Sequence, residues 1–581
     1  MRIPLKDYRD LLWRYLSPQR IRVLLLVLLL CAEITLQLIN PQFLRMFIDT
    51  VTSSGPQSSL LGVAILFIVV AIFQQLITIA ATYISEVVGW RATNALRADL
   101  ALHLVKMDMS FHKVHTPGEL IERVDGDVTN LANFFSQFVI KILGGLLLLI
   151  GILVVLWYTE WHVGLVLSLF ACVALVAINS ARSIAVKPWK TFRQLSAELF
   201  GFLEERLRGT EDIRSSGAQP YIMRRLLMLT RKRFIYGRQA RILSSIPWSL
   251  PALFFAIGYI IAFSLIAWLY SSKGISIGVA FLIYYYTQQL SQPIMMISTQ
   301  LEDFQKASAG VVRVNELMAL RSQLKDGSGA VLPAGALSVD FEQVSFGYED
   351  EELVLDDISL QIQPGEVLGL LGRTGSGKTT ITRLLFRLYE PASGSIKLGG
   401  VDLAQARLAD IRQHIGIVTQ DVQLFYATVR DNLTLFDSSI ADQKIQQALQ
   451  DLGLTDWYDK LENGLDTMLA ANGGGLSAGE AQLLAFTRVF LRDPGLIILD
   501  EASSRLDPVT EQLIEKAISR LLAGRTAIII AHRLGTVKRA DTILIMEAGH
   551  IAEYGDRKIL QEDTRSRFAQ LLLTAQEEVH A

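Results

Sequence analysis

Six runs of about 20 apolar residues occupy the first 300 positions, near 23–46, 60–84, 134–158, 162–184, 245–270 and 277–299. Each is long enough to cross the hydrocarbon of a bilayer as a helix. Between Ile142 and Ala181 there is no Lys or Arg and one acid, Glu160 beside Trp161, so the third and fourth runs form a hairpin with a short turn. The fifth and sixth join in the same way across Ser271 to Ile275. The first run is longer than a signal-peptide core and no small-residue cleavage pattern follows it, so it reads as a retained anchor.

Two longer stretches separate the runs, 85–133 and 185–244, and both keep helical apolar periodicity, as in Arg91-Ala-Thr-Asn-Ala-Leu-Arg-Ala-Asp-Leu. They predict helices that continue the membrane spans into water, with reversals at Thr116-Pro-Gly and at Ser215-Ser-Gly-Ala-Gln-Pro220. After a charged helix over 302–322, the Gly-, Ala- and Pro-bearing segment from Lys325 to Gly335 reads as a linker. The pattern then changes. Short apolar runs at Leu337–Phe346, Glu366–Leu371, Ile415–Val418, Leu496–Leu499, Ala527–Ile530 and Ile543–Met546 alternate with helical ones. Runs such as Leu-Ile-Ile-Leu predict strands buried on both faces of a covered α/β sheet. The chain thus divides into an all-α membrane part over 1–322, a linker over 323–336 and an α/β part over 337–581.

Charge sharpens this division. The chain of 581 residues is 51% hydrophobic and carries a formal net charge of −2. That total hides 28 Lys and Arg against 17 Asp and Glu before residue 300, and so 27 against 40 after it. A basic half that is also apolar excludes a nucleic-acid reader, whose basic patch sits on a soluble fold. The cations mark topology, because Lys and Arg beside spans stay cytoplasmic. They crowd the leader (Arg2 to Arg22) and the two long stretches, whereas the opposite loops hold Lys273 alone, with Arg45 nearby. Both termini are therefore expected in the cytoplasm, in a multi-pass inner (plasma) membrane protein. Cys31 and Cys172 lie in apolar runs and offer neither a disulfide framework nor a metal site.

Chemistry concentrates in the second half. Gly372-Arg-Thr-Gly-Ser-Gly377-Lys378-Thr379 follows an apolar strand and opens a helix, the context a phosphate-binding loop requires. Its glycines let backbone N–H groups turn inward toward an anion. Gly372, Arg373, Thr374, Gly375, Ser376, Gly377, Lys378, Thr379 and Thr380 are the candidate phosphate contacts, with Lys378 on the β/γ-phosphates and Thr379 on Mg²⁺. Leu496-Ile-Ile-Leu-Asp500-Glu501 is a strand ending in two carboxylates, Asp500 to hold Mg²⁺ through water and Glu501 to polarise the attacking water.

On these motifs the second half resembles the nucleotide-binding cassette of ATP-binding cassette (ABC) transporters, and the whole chain resembles a bacterial exporter-type half-transporter. The resemblance implies a six-helix transmembrane bundle with long cytoplasmic extensions followed by a P-loop ATPase, with ATP and Mg²⁺ as its nucleotide and metal. It implies that Tyr348 stacks on adenine, that Gln420 senses Mg²⁺ and the attacking water, that His532 contacts the γ-phosphate, and that Ser503–Asp507 crosses a dimer interface. It also implies helical turns near 114–128 and 209–220 that dock on the cassettes and alternate access to a cavity. The family signature Leu-Ser-Gly-Gly-Gln, which caps the partner's ATP, reads here Leu476-Ser477-Ala478-Gly479-Glu480, and Ala470-Ala-Asn-Gly-Gly replaces an acidic loop. Ser477 and Gly479 keep their place. Ala478 adds a methyl group where backbone approaches phosphate, and Glu480 puts an anion near a nucleotide.

An altered signature beside an intact Lys378, Asp500, Glu501 and His532 resembles one subunit of a heterodimer that hydrolyses the ATP on this chain. A homodimer that tolerates the altered signature is the alternative, as is an importer or an ATP-gated regulator on the same fold. The expected partners are a second half-transporter, membrane lipid and an unidentified transported substrate. In the first span Glu33, Gln37 and Asn40 share one helix face, which either lines a cavity or ties helices together.

Overall fold

A computed structural model describes residues 5–53, 56–132, 139–348, 352–420, 422–470, 476–500, 508–531 and 536–580. The chain forms two compact units, one of residues 1–106 and 116–321, the other of residues 107–115 and 322–581.

The first unit is helical: α1 (Leu5–Leu16), α2 (Arg20–Thr52) and α3 (Gln57–Val105), then after the short α4 (Met109–Val114) α5 (Pro117–Ile121), α6 (Gly144–Thr159), α7 (Trp161–Arg208), α8 (Thr210–Ser215), α9 (Gln219–Lys273), α10 (Ile277–Gln289) and α11 (Ser291–Ala319). The helices α3, α7 and α9 have 49, 48 and 55 residues. At 1.5 Å per residue they reach roughly 70–80 Å, more than twice the hydrocarbon thickness. The spans therefore do continue beyond the apolar layer, and the reversal near 209–218 is built from α8 and a left-handed Gly217. Thr116 caps the N-terminus of α5 through the Glu119 amide. Among the described residues, five helical segments are long and apolar enough to cross a membrane, Trp13–Thr52, Gln57–Val105, Lys141–Thr159, Trp161–Ile178 and Gln219–Lys273. The sixth expected span is divided at Leu290 between α10 and α11. Pro293 accounts for the break, because it has no N–H for the Gln289 carbonyl four residues earlier.

In the core of this unit Leu148, Ile152, Leu156, Leu167, Leu282 and Tyr286 are buried together. Polar side chains in the spans join helices. Thr78 donates to Glu33 Oε1 at 2.9 Å, and Gln37 donates to Gln289 and Gln292 at 3.2 and 3.3 Å. Tyr286 donates to the Leu38 carbonyl at 2.6 Å, one residue after a carbonyl that Pro41 leaves without its helical donor. Glu33 and Gln37 thus tie helices, while Asn40 Oδ1 is buried with no hydrogen-bond partner. Cys31 and Cys172 are exposed and unpaired.

The second unit holds twelve described strands: β1 (Val339–Phe346), β2 (Leu355–Ile362), β3 (Val367–Gly372), β4 (Ser393–Leu398), β5 (Val401–Asp402), β6 (Ile415–Val418), β7 (Ala427–Thr428), β8 (Met468–Leu469), β9 (Leu496–Asp500), β10 (Thr526–Ile530), β11 (Thr542–Glu547) and β12 (His550–Asp556). Six form one sheet in the order β12-β11-β3-β10-β9-β6, in which β11, β3, β10, β9 and β6 run parallel. A four-stranded sheet, β2-β1-β4-β5, is antiparallel. The parallel strands are buried on both faces, β10 at every position, as their unbroken apolar sequence requires.

Candidate nucleotide site

The parallel sheet brings the expected motifs to one edge. In open α/β sheets ligands bind outside the carboxyl ends of the parallel strands. β3 ends in the phosphate loop, β6 ends two residues before Gln420, β9 ends on Asp500, and β10 pairs with it so that Ile530 sits beside Asp500. Gln420 is exposed there. Glu501, Ser503–Asp507 and His532 lie outside the described residues, as do residues 471–475 of the loop before the signature.

The loop is shaped for an anion. Gly377 stands at φ 104°, and a Cβ there would lie 2.5 Å from Leu355 Cδ2. A Cβ on Gly372 would lie 2.4 Å from the Met546 carbonyl oxygen and 2.6 Å from Ser376 Oγ. Both positions exclude a side chain. Gly377 precedes the helix Lys378–Leu385 and supplies no side-chain cap, which leaves the first amides of that helix for a ligand. Lys378 is buried and donates to the carbonyls of Gly372 and Arg373 at 2.6 and 3.0 Å, so its ammonium closes the loop from inside. Ser376 Oγ is buried with no hydrogen-bond partner. An orphaned hydroxyl inside a ring of amides beside an ammonium fits a phosphate oxygen.

Tyr348 stands over the start of that helix. Its hydroxyl lies 3.2 Å from Thr380 Oγ1 and accepts from Arg383 at 2.9 Å. Phe346 and Tyr389 meet its ring perpendicularly, with centroids 4.9 and 5.1 Å away.

The signature helix, Ala478–Arg492, starts with a capping box. Glu480 N donates to Ser477 Oγ at 3.2 Å, and Ser477 N donates to Glu480 Oε2 at 2.7 Å. The carboxylate of Glu480 is therefore folded onto the helix end where the family places a partner's γ-phosphate. Gly479 is buried behind it.

Two features were not expected from the sequence. Arg488, on the signature helix, donates to the carbonyls of Asn432 and Gln423 at 2.6 and 2.8 Å and to Asn432 Oδ1 at 3.1 Å. Burial pushes its pKa down to about 10, with Arg492 adding to the shift. Asn432, fully buried, in turn grips Phe425, Ala427 and Thr428 through their backbones. The segment behind Gln420 is thus pinned to the signature helix, and it presents the exposed aromatics Phe425, Tyr426 and Phe436. Residues 420–436 mix apolar and polar positions without a period, so nothing local in the sequence marks this anchoring.

The second feature is Asp108, in the part of the first half that packs with the second unit. It caps α4 through the Phe111 amide at 3.0 Å and accepts from the Ser322 hydroxyl and the Gln323 amide at 3.0 and 2.6 Å. Burial alone would raise its pKa, but these hydrogen bonds outweigh burial and hold the carboxyl below its ordinary value. The helix that joins the second unit, α4, lies just upstream of the expected 114–128 stretch.

A helical membrane unit joined to a phosphate loop on a parallel sheet defines a membrane-embedded P-loop ATPase. Residues 23–294 match the ABC transporter transmembrane region, and residues 355–504 match the ABC transporter family of ATPase domains. The chain is 30% identical over 549 residues to the uncharacterized ABC transporter ATP-binding protein YfiC of Bacillus subtilis, covering 94% of this chain and 90% of that one. It is 31% identical over 561 residues to the alpha-hemolysin translocation ATP-binding protein HlyB of Escherichia coli O157:H7, covering 95% of this chain and 78% of that one. It is 29% identical over 559 residues to the ATP-dependent lipid A-core flippase of Photorhabdus laumondii, covering 95% of each. The solved structure of a bacterial Atm1-family ABC exporter with ATP bound shares the fold, with a TM-score of 0.79 at 24% identity over 96% of this chain and 98% of that one.

The chain belongs to the ABC transporters, as an exporter-type half-transporter with its transmembrane and ATPase domains fused. It binds ATP and couples ATP hydrolysis to transport across a membrane that it spans several times.

Proposed function

We propose that this chain is one half of a heterodimeric exporter in which the ATP on its own phosphate loop is hydrolysed, while the site completed by its signature holds ATP with little turnover. The observation that carries this reading is the Glu480 carboxylate bonded to the Ser477 amide at the signature helix end. A helix N-terminus attracts anions. Here it already has one, and a second anion, the partner's γ-phosphate, meets like charge.

In the intact site, Gly372 to Thr380 hold the triphosphate, Tyr348 stacks on the base, and His532 meets the γ-phosphate. Glu501 accepts the proton of the attacking water. Thr379, Asp500 and Gln420 would hold Mg²⁺, which when bound neutralises charge on the β- and γ-phosphates. Ser477 and Gly479 face the partner's nucleotide. The domains are 1–322, 323–336 and 337–581, with both termini cytoplasmic in an inner (plasma) membrane of bacterial type. Since the relatives include a lipid A-core flippase and a protein-toxin translocator, the substrate is left as an amphiphile or peptide moved by alternating access.

The test compares ATPase activity of the purified chain alone with that of the chain co-purified with its native partner, in the same lipid. The heterodimer reading expects the pair to be at least ten times as active per complex. Equal activity of the chain alone would establish the homodimer instead.

A further inference from the structure

Tyr348 is shared between two parts of the chain that lie far apart in sequence. α4 packs in the second unit, clasped by Asp108 to Ser322 and Gln323. From its last turn Lys113 places its Nζ over the Tyr348 ring, 4.9 Å from the centroid. A second cation, Arg383, has its Cζ 5.7 Å from that centroid, but it is held at the ring's rim by its hydrogen bond to the hydroxyl. Lys113 meets the ring through its π system. The aromatic neighbours Phe346 and Tyr389 stand at 84° and 87° to the ring, so neither stacks parallel on it.

We propose that Lys113 and the nucleotide base compete for Tyr348, so that ATP binding releases α4 from the ring. This rests on the reading of Tyr348 as the base-stacking residue. An exposed cation–π contact is weaker than stacking of a base on an aromatic ring, so the base prevails at saturating nucleotide. The junction has room for the shift. A cavity of about 210 Å³ lies among Asp108, Ser110, Gln323, Tyr348, Tyr389 and Glu390, so α4 can move without overpacking its neighbours. Lys113 is then a positioning residue, and the coupling is reciprocal. The factor by which Lys113 weakens the base is the factor by which the base weakens the hold on α4.

The experiment measures equilibrium binding of MgATP and of Mg-tripolyphosphate, which lacks a base, to the full-length chain in nanodiscs. Lys113→Met should tighten MgATP about two- to five-fold, the range expected for losing an exposed cation–π competitor, and leave tripolyphosphate unchanged. Lys113→Arg should behave as the wild type. In a Tyr348→Leu background the gain from Lys113→Met should disappear. Hydrogen exchange in residues 109–114 should rise when MgATP is added to the wild type, and should start high in Lys113→Met. Unchanged or weaker MgATP binding by Lys113→Met would overturn the competition, as would equal tightening of both ligands, which marks a merely electrostatic or structural effect. If Tyr348→Leu alone leaves the ratio of MgATP to tripolyphosphate affinity unchanged, the base does not stack there, and the underlying reading fails separately.

Discussion

Replacing Glu480 by glutamine separates charge from geometry at the signature. The capping box uses Glu480 Oε2 to accept from Ser477 N, and glutamine keeps an acceptor in that place, so the helix start survives. What is removed is one negative charge. Two unit charges roughly 6 Å apart interact by about 1–3 kcal/mol for effective dielectrics of about 50 to 20. Ser477 is exposed, so screening favours the low end, near 1 kcal/mol or about five-fold in affinity. The assay uses the complex with the native partner and Lys378→Ala in this chain, which disables this chain's own phosphate loop and leaves the site capped by Ser477 and Gly479. Glu480→Gln in that background should tighten ATP about five-fold at low salt, with the gain shrinking as salt rises. An affinity that does not change, or that falls, would refute the reasoning that the carboxylate opposes the γ-phosphate.

Other consequences follow from individual contacts. Gly377→Ala forces a Cβ to 2.5 Å from Leu355 Cδ2 at φ 104°. It should cost about 1–3 kcal/mol, seen as a lower unfolding temperature together with loss of ATP binding. Arg488→Met leaves the Gln423 and Asn432 carbonyls without their donor, for about 2–3 kcal/mol. It should raise hydrogen exchange across 423–432, and lysine, a point charge without the guanidinium fork, should rescue it poorly. The Asp108 carboxyl is held below its ordinary value. Its contribution is therefore full above the unfolded pKa of about 3.9 and is lost as pH falls through the lower, folded pKa. Asp108→Asn should show at pH 7 the lower protection of the Gln323 amide, relative to its intrinsic exchange rate at that pH, that the wild type reaches only in acid.

What was legible in the sequence was what short-range pattern encodes. Leu496-Ile-Ile-Leu announced a strand covered on both faces because both faces are covered, and the phosphate loop was legible because anion binding needs its glycines in one consecutive run. β2, β4 and β12 were not anticipated, since their outer faces are polar and their apolar positions are interrupted. The division of the sixth span at Leu290 could have been suspected from Pro293, but the apolar composition runs straight through it. Contacts between distant positions left no local trace. Asp108 meets Ser322 across 214 positions, and nothing around Asp108 marks it among the other acids of its stretch. Arg488 looked like any cation late in an amphipathic helix until the backbone of 423–432 was seen to end on it. Of the three polar residues on the first span, the structure gives two to helix pairing and leaves Asn40 Oδ1 without a partner.

In the heterodimer reading, turnover occurs at this chain's own phosphate loop and depends on Glu501. The most direct measurement is single-turnover ATP hydrolysis by the reconstituted pair, with Glu501→Gln in this chain and the partner unchanged. An amide fills the same space but cannot take the proton of the attacking water. ATP should stay bound while hydrolysis falls at least 100-fold, because the other site turns over little. Retention of half or more of the activity would contradict it, since the partner's site would then carry the turnover assigned here to this chain.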